Sequence, residues 1–272
     1  MTNKLKGAIF GLAVADALGV PVEFKKRGTF KIEGVTGYGT YNQPEGTWSD
    51  DTSMTIATCD SIRECGGIDL QDMFEKFRSW LYDAEYTPFG YVFDCGNTTA
   101  YALRRGKGDD DFHANGNGSL MRILPLAFAD ADGDMVECVS KITHAHPIST
   151  TACVHYVIIA RRLLKGEDLK HILNHMLFEP PFDRVSTIYE CTEDEIRSSG
   201  YVVDTLEAAL WCLTTTDNYK DAVLKAINLG EDTDTVAAVT GGLAGIMYGY
   251  DSIPTEWLDA LKSKDIIERC LF

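Results

Sequence analysis

The chain has 272 residues, 45% of them hydrophobic, enough to bury one large core, and 25 Lys and Arg against 41 Asp and Glu give a formal net charge of -16 at pH 7. A field of that sign repels polyanions, so nucleic acid is not an expected partner. The eight cysteines form no C-x-x-C pair and sit mostly among apolar neighbours, which argues against a zinc ribbon and a disulfide framework and for the reducing cytosol, a cytoplasmic setting. The first apolar stretch carries Asp16 and lacks a small-residue cleavage site, unlike a secretory signal. No run approaches the roughly 18 consecutive apolar residues of a membrane helix. No Ser-, Pro- or Gly-rich linker divides the chain, so one domain over 1–272 and no membrane partner are expected.

In chain order, Gly7, Gly11, Ala15 and Gly19 recur every fourth residue of the first helical segment. Glycine costs about 1 kcal/mol per helix-interior position relative to Ala, so a repeated stripe implies close backbone approach and predicts a central helix. Alternating, strand-like residues are confined to about 28–42, where Gly and Tyr cluster. Asp69 caps a segment with Met73, Phe74, Phe77, Trp80 and Leu81 at helical spacing. Asp204, followed by Leu206, Leu210 and Leu213 with Glu207 three residues on, reads as a capping-box start, and Asp217-Asn218 opens a helix ending near Gly230. Gly241, Gly245 and Gly249 make a second stripe in the last long helix. The expected fold class is all-α.

Two clusters carry the strongest chemical signal: Gly46-Thr47-Trp48-Ser49-Asp50-Asp51-Thr52, and far downstream Gly230-Glu231-Asp232-Thr233-Asp234-Thr235. Asp, Ser and Thr at a helix start commonly cap it and complement its dipole. Adjacent carboxylates exceed that need, however, and four Asp brought together could hold two hard divalent cations, with Ser and Thr hydroxyls suiting Mg²⁺ or Mn²⁺ better than zinc. The spacing is not that of a calcium loop, and the histidines do not supply a zinc set at helical spacing. On residue types alone both readings stay open. So do a solvated charge for Glu23, a cap ahead of Gly96 for Asp94, a tight turn for Gly116-Asn117-Gly118-Ser119, ordinary histidines at His144 and His146, and helix packing for Tyr201. There is no G-x-G-x-x-G and no P-loop.

Taken in order, Gly11-Leu12-Ala13-Val14-Ala15-Asp16-Ala17-Leu18-Gly19 with Glu23, Ser49-Asp50-Asp51-Thr52, Phe93-Asp94-Cys95-Gly96-Asn97-Thr98, Gly116-Asn117-Gly118-Ser119-Leu120-Met121-Arg122, Thr143-His144, Gly200-Tyr201-Val202 and Asp232-Thr233-Asp234-Thr235 span nearly the whole chain. With these segments the sequence resembles the ADP-ribosylglycohydrolase family, most of all its bacterial dinitrogenase reductase-activating branch. The resemblance implies a helical fold around a binuclear Mg²⁺ or Mn²⁺ centre held by Ser49, Asp50, Asp51, Asp232, Asp234 and Thr235. It implies hydrolysis between the ribose C1″ of ADP-ribose and an acceptor on a protein or small conjugate: arginine first, with serine or O-acetyl-ADP-ribose as alternatives. Glu23 would contact the ribose or act on the leaving group, and Asp94 would serve as general acid or base. Gly116, Asn117, Gly118, Ser119 and Met121 would meet the ligand, the glycine backbone facing its diphosphate. His144 would contact ADP-ribose, and Tyr201 would lie at the acceptor pocket of the arginine-directed branch. A helical phosphohydrolase cutting the diphosphate is a rival, but the sequence has no pair of helices carrying E-x-x-E. A non-catalytic, crystallin-like member is another, and the four intact Asp speak against it. The oligomeric state stays open.

Overall fold

The computed structural model describes residues 2–272, and the chain is helical throughout. The α-helices are α1 (Thr2–Gly19), α2 (Asp50–Cys65), α3 (Leu70–Asp83), α4 (Asn97–Arg105), α5 (Gly133–Ser140), α6 (Pro147–Leu164), α7 (Leu169–Asn174), α8 (Val202–Thr214), α9 (Tyr219–Asn228), α10 (Thr233–Tyr248), α11 (Thr255–Ala260) and α12 (Lys264–Cys270). One continuous cluster of buried apolar side chains runs from Leu5 to Cys270.

The two glycine stripes meet at its centre. Helices α1 and α10 run antiparallel, Gly7 opposite Gly245 and Gly11 opposite Gly241, so close that a methyl group on Gly245 would stand 2.0 Å from the Gly7 carbonyl oxygen and one on Gly241 2.3 Å from that of Gly11. Only glycine permits that approach, which explains two costly stripes in helix interiors. Neighbouring helices tie into the seam: the Tyr219 hydroxyl donates to the Gly11 carbonyl at 2.6 Å, and that of Tyr156 to Val239 at 2.8 Å. The stretch Asn3–Val22 is long and apolar enough to cross a membrane, yet 94% of it is buried within the protein, as a core helix requires. Gly249, the last member of the expected stripe, ends the helix at φ +87°; its backbone carbon lies near Gly7, but a Cβ at Gly249 would meet open space.

Two local expectations need correction. Residues 28–42 form no strand: the segment makes one isolated antiparallel bridge, Tyr38 to Gln43, around a short turn at Gly39–Tyr41. Tyr38, Gly39 and Asn42 all have positive φ, which breaks an extended run, and Gly39 is pressed onto the Pro21 carbonyl, where no Cβ fits. Helix α8 starts at Val202 behind Tyr201, so Asp204 lies in its first turn and accepts from the Ser199 hydroxyl at 2.6 Å instead of capping it. The Asp217-Asn218 start opens α9 as expected, with the Asn218 side chain accepting from the Asp221 amide. Asp69 caps α3 as expected, accepting from the amides of Gln71 and Asp72. The eight cysteines are all free thiols.

Candidate functional site

The antiparallel seam has a chemical consequence at one end. It sets the end of α1, followed by Glu23, against the start of α10 with Asp232, Asp234 and Thr235, while α2 delivers Ser49, Asp50 and Asp51 at its own first turn. Carboxylates therefore gather where two helix N-termini present positive dipole ends. The chain after α1 is pinned by paired backbone bonds, Phe24 N–H to the Glu231 carbonyl and Glu231 N–H to that of Lys25, with Phe24 and Glu231 both at positive φ.

Asp16, which the sequence reading did not assign to the site, organises it. Fully buried, it accepts from the Ser49 amide and hydroxyl and from the Thr52 amide and hydroxyl, fixing the first turn of α2. Burial pushes its carboxyl up to about 6 against the pull of the Thr52 and Ser49 bonds. The available signal was a charge inside an otherwise apolar, glycine-striped helix.

Carboxylate oxygens of Asp16, Asp51 and Asp234 lie within 4.8 Å of one another, as do those of Glu23, Asp232 and Asp234, so that Asp234 joins two adjacent groups. The Ser49 and Thr235 hydroxyls donate to Asp51 at 3.1 and 3.4 Å. Glu23 Oε2, Asp51 Oδ1, Asp232 Oδ1 and Asp234 Oδ2 are buried without any hydrogen-bond partner. Burial first, and then the neighbouring carboxylates, hold Asp50, Asp51 and Asp234 well above the usual range; Glu23 is pushed up to about 8 by burial, Asp94 and Asp232. Unpartnered, mutually repelling anions need protons or cations, and an all-oxygen donor set suits a hard divalent ion. The residues present therefore fit a metal site. Asp50 belongs to neither group of three and instead lines the adjoining cavity.

That cavity, about 350 Å³, is lined by Glu23, Asp50, Asp94, Gly116, Asn117, Gly118, Met121, His144, Asp232 and Thr235 among the sequence-predicted residues. Its wall also includes Phe24, Gly200 and the start of α4 from Gly96 to Thr99, none of which the sequence reading assigned a role. Asp94 is no helix cap, since Gly96 holds that position; burial raises its carboxyl while a bond from Tyr41 opposes the shift. Gly116–Ser119 makes a short 3₁₀ turn, not a hairpin, anchored by Asn117: its amide donates to the Gly200 carbonyl and its side chain to Asp232 and Thr205, both at 2.9 Å. A methyl on Gly118 would sit 2.8 Å from the His144 ring, so glycine is required there.

Five predicted residues do not line this cavity. Asp51 and Asp234 are beneath the cavity floor with Ser49, as buried ligands would be. Ser119 is fully buried behind the wall, accepting from Ser140, so its hydroxyl does not face a ligand. Tyr201 meets the site through its backbone, bridged to Gly116, while its side chain lines a second cavity of about 550 Å³ with Arg184, Arg197, Asp204 and Glu207. His146 caps α6 through Nδ1 and does not line the first cavity.

The chain is similar to known proteins over nearly its whole length. The family model described as ADP-ribosylglycohydrolase matches residues 1–271. The chain is 37% identical to the ADP-ribosylarginine hydrolase Tri1 of Serratia proteamaculans, over 97% of this chain and 77% of that one. It is 34% identical to the ADP-ribosyl-[dinitrogen reductase] glycohydrolase of Rhodospirillum rubrum, over 96% and 91%. A solved ADP-ribosylglycohydrolase-related protein complex superposes with a TM-score of 0.86 at 31% identity, covering 99% of this chain and 95% of that one. With the family model, these relatives and the helical fold agreeing over nearly the full length, the chain belongs to the ADP-ribosylglycohydrolase family.

Proposed function

We propose that the protein releases ADP-ribose from modified arginine by hydrolysing the N-glycosidic bond, with two divalent cations, Mg²⁺ or Mn²⁺, in the acidic cleft. The observation that carries this reading is the set of four partnerless buried carboxylate oxygens, on Glu23, Asp51, Asp232 and Asp234, at a cavity walled by glycine backbone. The likeness to the ADP-ribosylarginine hydrolase of Serratia proteamaculans supports arginine as the acceptor. Ser49, Asp50, Asp51, Asp232, Asp234 and Thr235 would hold the cations, with Asp16 orienting Ser49 from behind. When bound, such ions grip ribose hydroxyls and lower the pKa of a water.

The remaining work falls to the chain's own groups. Glu23 and Asp94 are two cavity-facing carboxyls in unequal surroundings, and Asp94 raises the proton affinity of Glu23. Unequal carboxyls divide acid and base roles, Glu23 giving a proton to the departing nitrogen and Asp94 orienting the attacking water. With the Asn117 amide taken by the Gly200 carbonyl, the backbone N–H groups of Gly116 and Gly118 are the ones that would face the diphosphate. Gly200 lines the first cavity and Tyr201 the second, so an acceptor guanidinium reaching across this ridge meets the Tyr201 ring with Asp204 and Glu207 to accept its N–H groups. Incubation with ADP-ribosyl-arginine, ADP-ribosyl-serine and O-acetyl-ADP-ribose side by side tests this: intact ADP-ribose appears fastest from the arginine conjugate. Faster release from the serine conjugate overturns the acceptor assignment, and AMP as product overturns glycosidic cleavage.

A further inference from the structure

Behind the glycine wall lies a buried polar chain that the proposed chemistry does not use. Arg122 is fully buried with no carboxylate partner; its guanidinium lies 4.4 Å over the Phe77 ring, and its Nη2 donates to the Val139 carbonyl at 3.2 Å and to Thr143 Oγ1 at 2.9 Å. Thr143 Oγ1, also fully buried, stands 2.9 Å from His144 Nδ1. The opposite edge of the His144 ring borders Gly116 and Gly118, and Nε2 has no hydrogen-bond partner among the described residues.

The donor and acceptor count decides the histidine's tautomer. A guanidinium only donates, so the Thr143 oxygen accepts from Arg122, leaving the Thr143 hydroxyl proton to be placed. The sole acceptor within reach is His144 Nδ1. Were Nδ1 protonated, two hydrogens would meet between these atoms and the hydroxyl proton would be stranded in a dry interior. We propose that Thr143, held by Arg122, is a positioning residue that locks His144 as the neutral Nε2–H tautomer, so that the ring presents a fixed hydrogen-bond donor to the ligand at the glycine wall. Independently of that count, burial and the neighbouring guanidinium push His144 down to about 3, which keeps the ring neutral. A neutral donor suits this wall: it binds a phosphate or ribose oxygen without adding a second buried cation beside Arg122.

This inference rests on the proposed function for the identity of the ligand, but not for the tautomer itself. Long-range proton–nitrogen spectra of the ligand-free, ¹⁵N-histidine-labelled protein read it directly, with His144→Asn identifying the His144 signals among those of the six histidines. Wild type shows Nε2 protonated and Nδ1 bare near neutral pH; Thr143→Val converts the ring to a mixture or to Nδ1–H, and Thr143→Ser restores it. ADP-ribose binding weakens about tenfold in Thr143→Val, the loss of one well-placed donor, and returns to within about twofold in Thr143→Ser. KM rises by a similar factor with kcat little changed, because the bond is made in ground and transition states alike. An Nδ1–H or doubly protonated ring in the wild type, or an unchanged tautomer in Thr143→Val, overturns the proposal. Wild type with the expected tautomer but no affinity for ADP-ribose overturns the functional reading instead, and leaves the Thr143–His144 lock standing.

Discussion

Helices α1 and α10 meet twice, and the two ends of their contact are opposites. Along Gly7, Gly11, Gly241 and Gly245 the backbones touch. At the other end, beyond Gly19 and before Thr235, the same helices hold buried carboxylates with four orphan oxygens. The first region stabilises the fold by close packing; the second is held in an unfavourable state by it. An enzyme that needs cations at a rigid site can be built this way, since a repulsive cleft forms only where a neighbouring seam prevents it from opening.

The largest expected effect breaks the seam. Gly245→Ala puts a methyl group 2.0 Å from a backbone oxygen that cannot yield without moving α1. Stability should fall by about 3 kcal/mol or more, the upper range for overpacking, seen as a melting temperature lower by about 6–12 °C. A variant as stable as wild type would mean that the seam is looser than described. The next change leaves the seam intact and disarms the cleft: Asp232→Asn keeps the acceptor for Asn117 but removes one charge. Turnover should drop at least about a hundredfold while the cation-free protein melts no lower than wild type, because a repelling anion has gone. Near-wild-type hydrolysis in saturating Mg²⁺ and Mn²⁺ would remove the cleft's proposed role.

Filling the cleft should also join the two regions thermodynamically. Cation binding to the folded state alone adds about 2.7 kcal/mol at a hundredfold excess over Kd, reversed by EDTA. A melting curve indifferent to millimolar Mg²⁺ or Mn²⁺ would count against the metal assignment. Without cation, pH should produce a smaller change of defined sign. Glu23 and Asp16 have folded values raised to about 8 and about 6 from ordinary values of 4.5 and 3.8, so the folded state retains protons that the unfolded chain releases. Their stabilising contribution is complete below the unfolded values and is lost as pH rises through the folded ones. The cation-free protein should therefore lose melting temperature between about pH 4 and 8, and saturating cation should flatten or reverse that slope. A slope identical with and without cation would break the comparison. The smallest effect lies at the rim: Tyr201→Ala should raise KM for the arginine conjugate severalfold with kcat little changed, as for an exposed cation–π contact worth about 0.5–1 kcal/mol. A fall in kcat alone would place Tyr201 in the chemistry.

Helical periodicity, the Asp69 cap and both glycine stripes were legible in the sequence because each depends on neighbours within one or two turns. The strand-like reading of 28–42 failed because alternation describes a strand only where a partner strand exists, and here the chain turns through Tyr38 and Asn42 against Pro21. Ser119 and Tyr201 were placed near the right backbone, yet the direction of each side chain depends on what packs beside it, which spacing does not encode. The sequence gives no role to Asp16, nor the link from Arg122 through Thr143 to His144, for a related reason: an isolated polar residue in an apolar run declares its role only through its partners.

By itself, then, the sequence determined that the chain is helical, that two of its helices must touch through glycine, and that two groups of carboxylates stand at helix starts. Only the tertiary structure decided that these groups share one cleft. The antiparallel packing of α1 on α10 joins residues as far apart as Gly19 and Thr233, 214 positions along the chain, and only that closure sets Asp16, Glu23, Asp51, Asp232 and Asp234 near enough to repel one another and to share a cation.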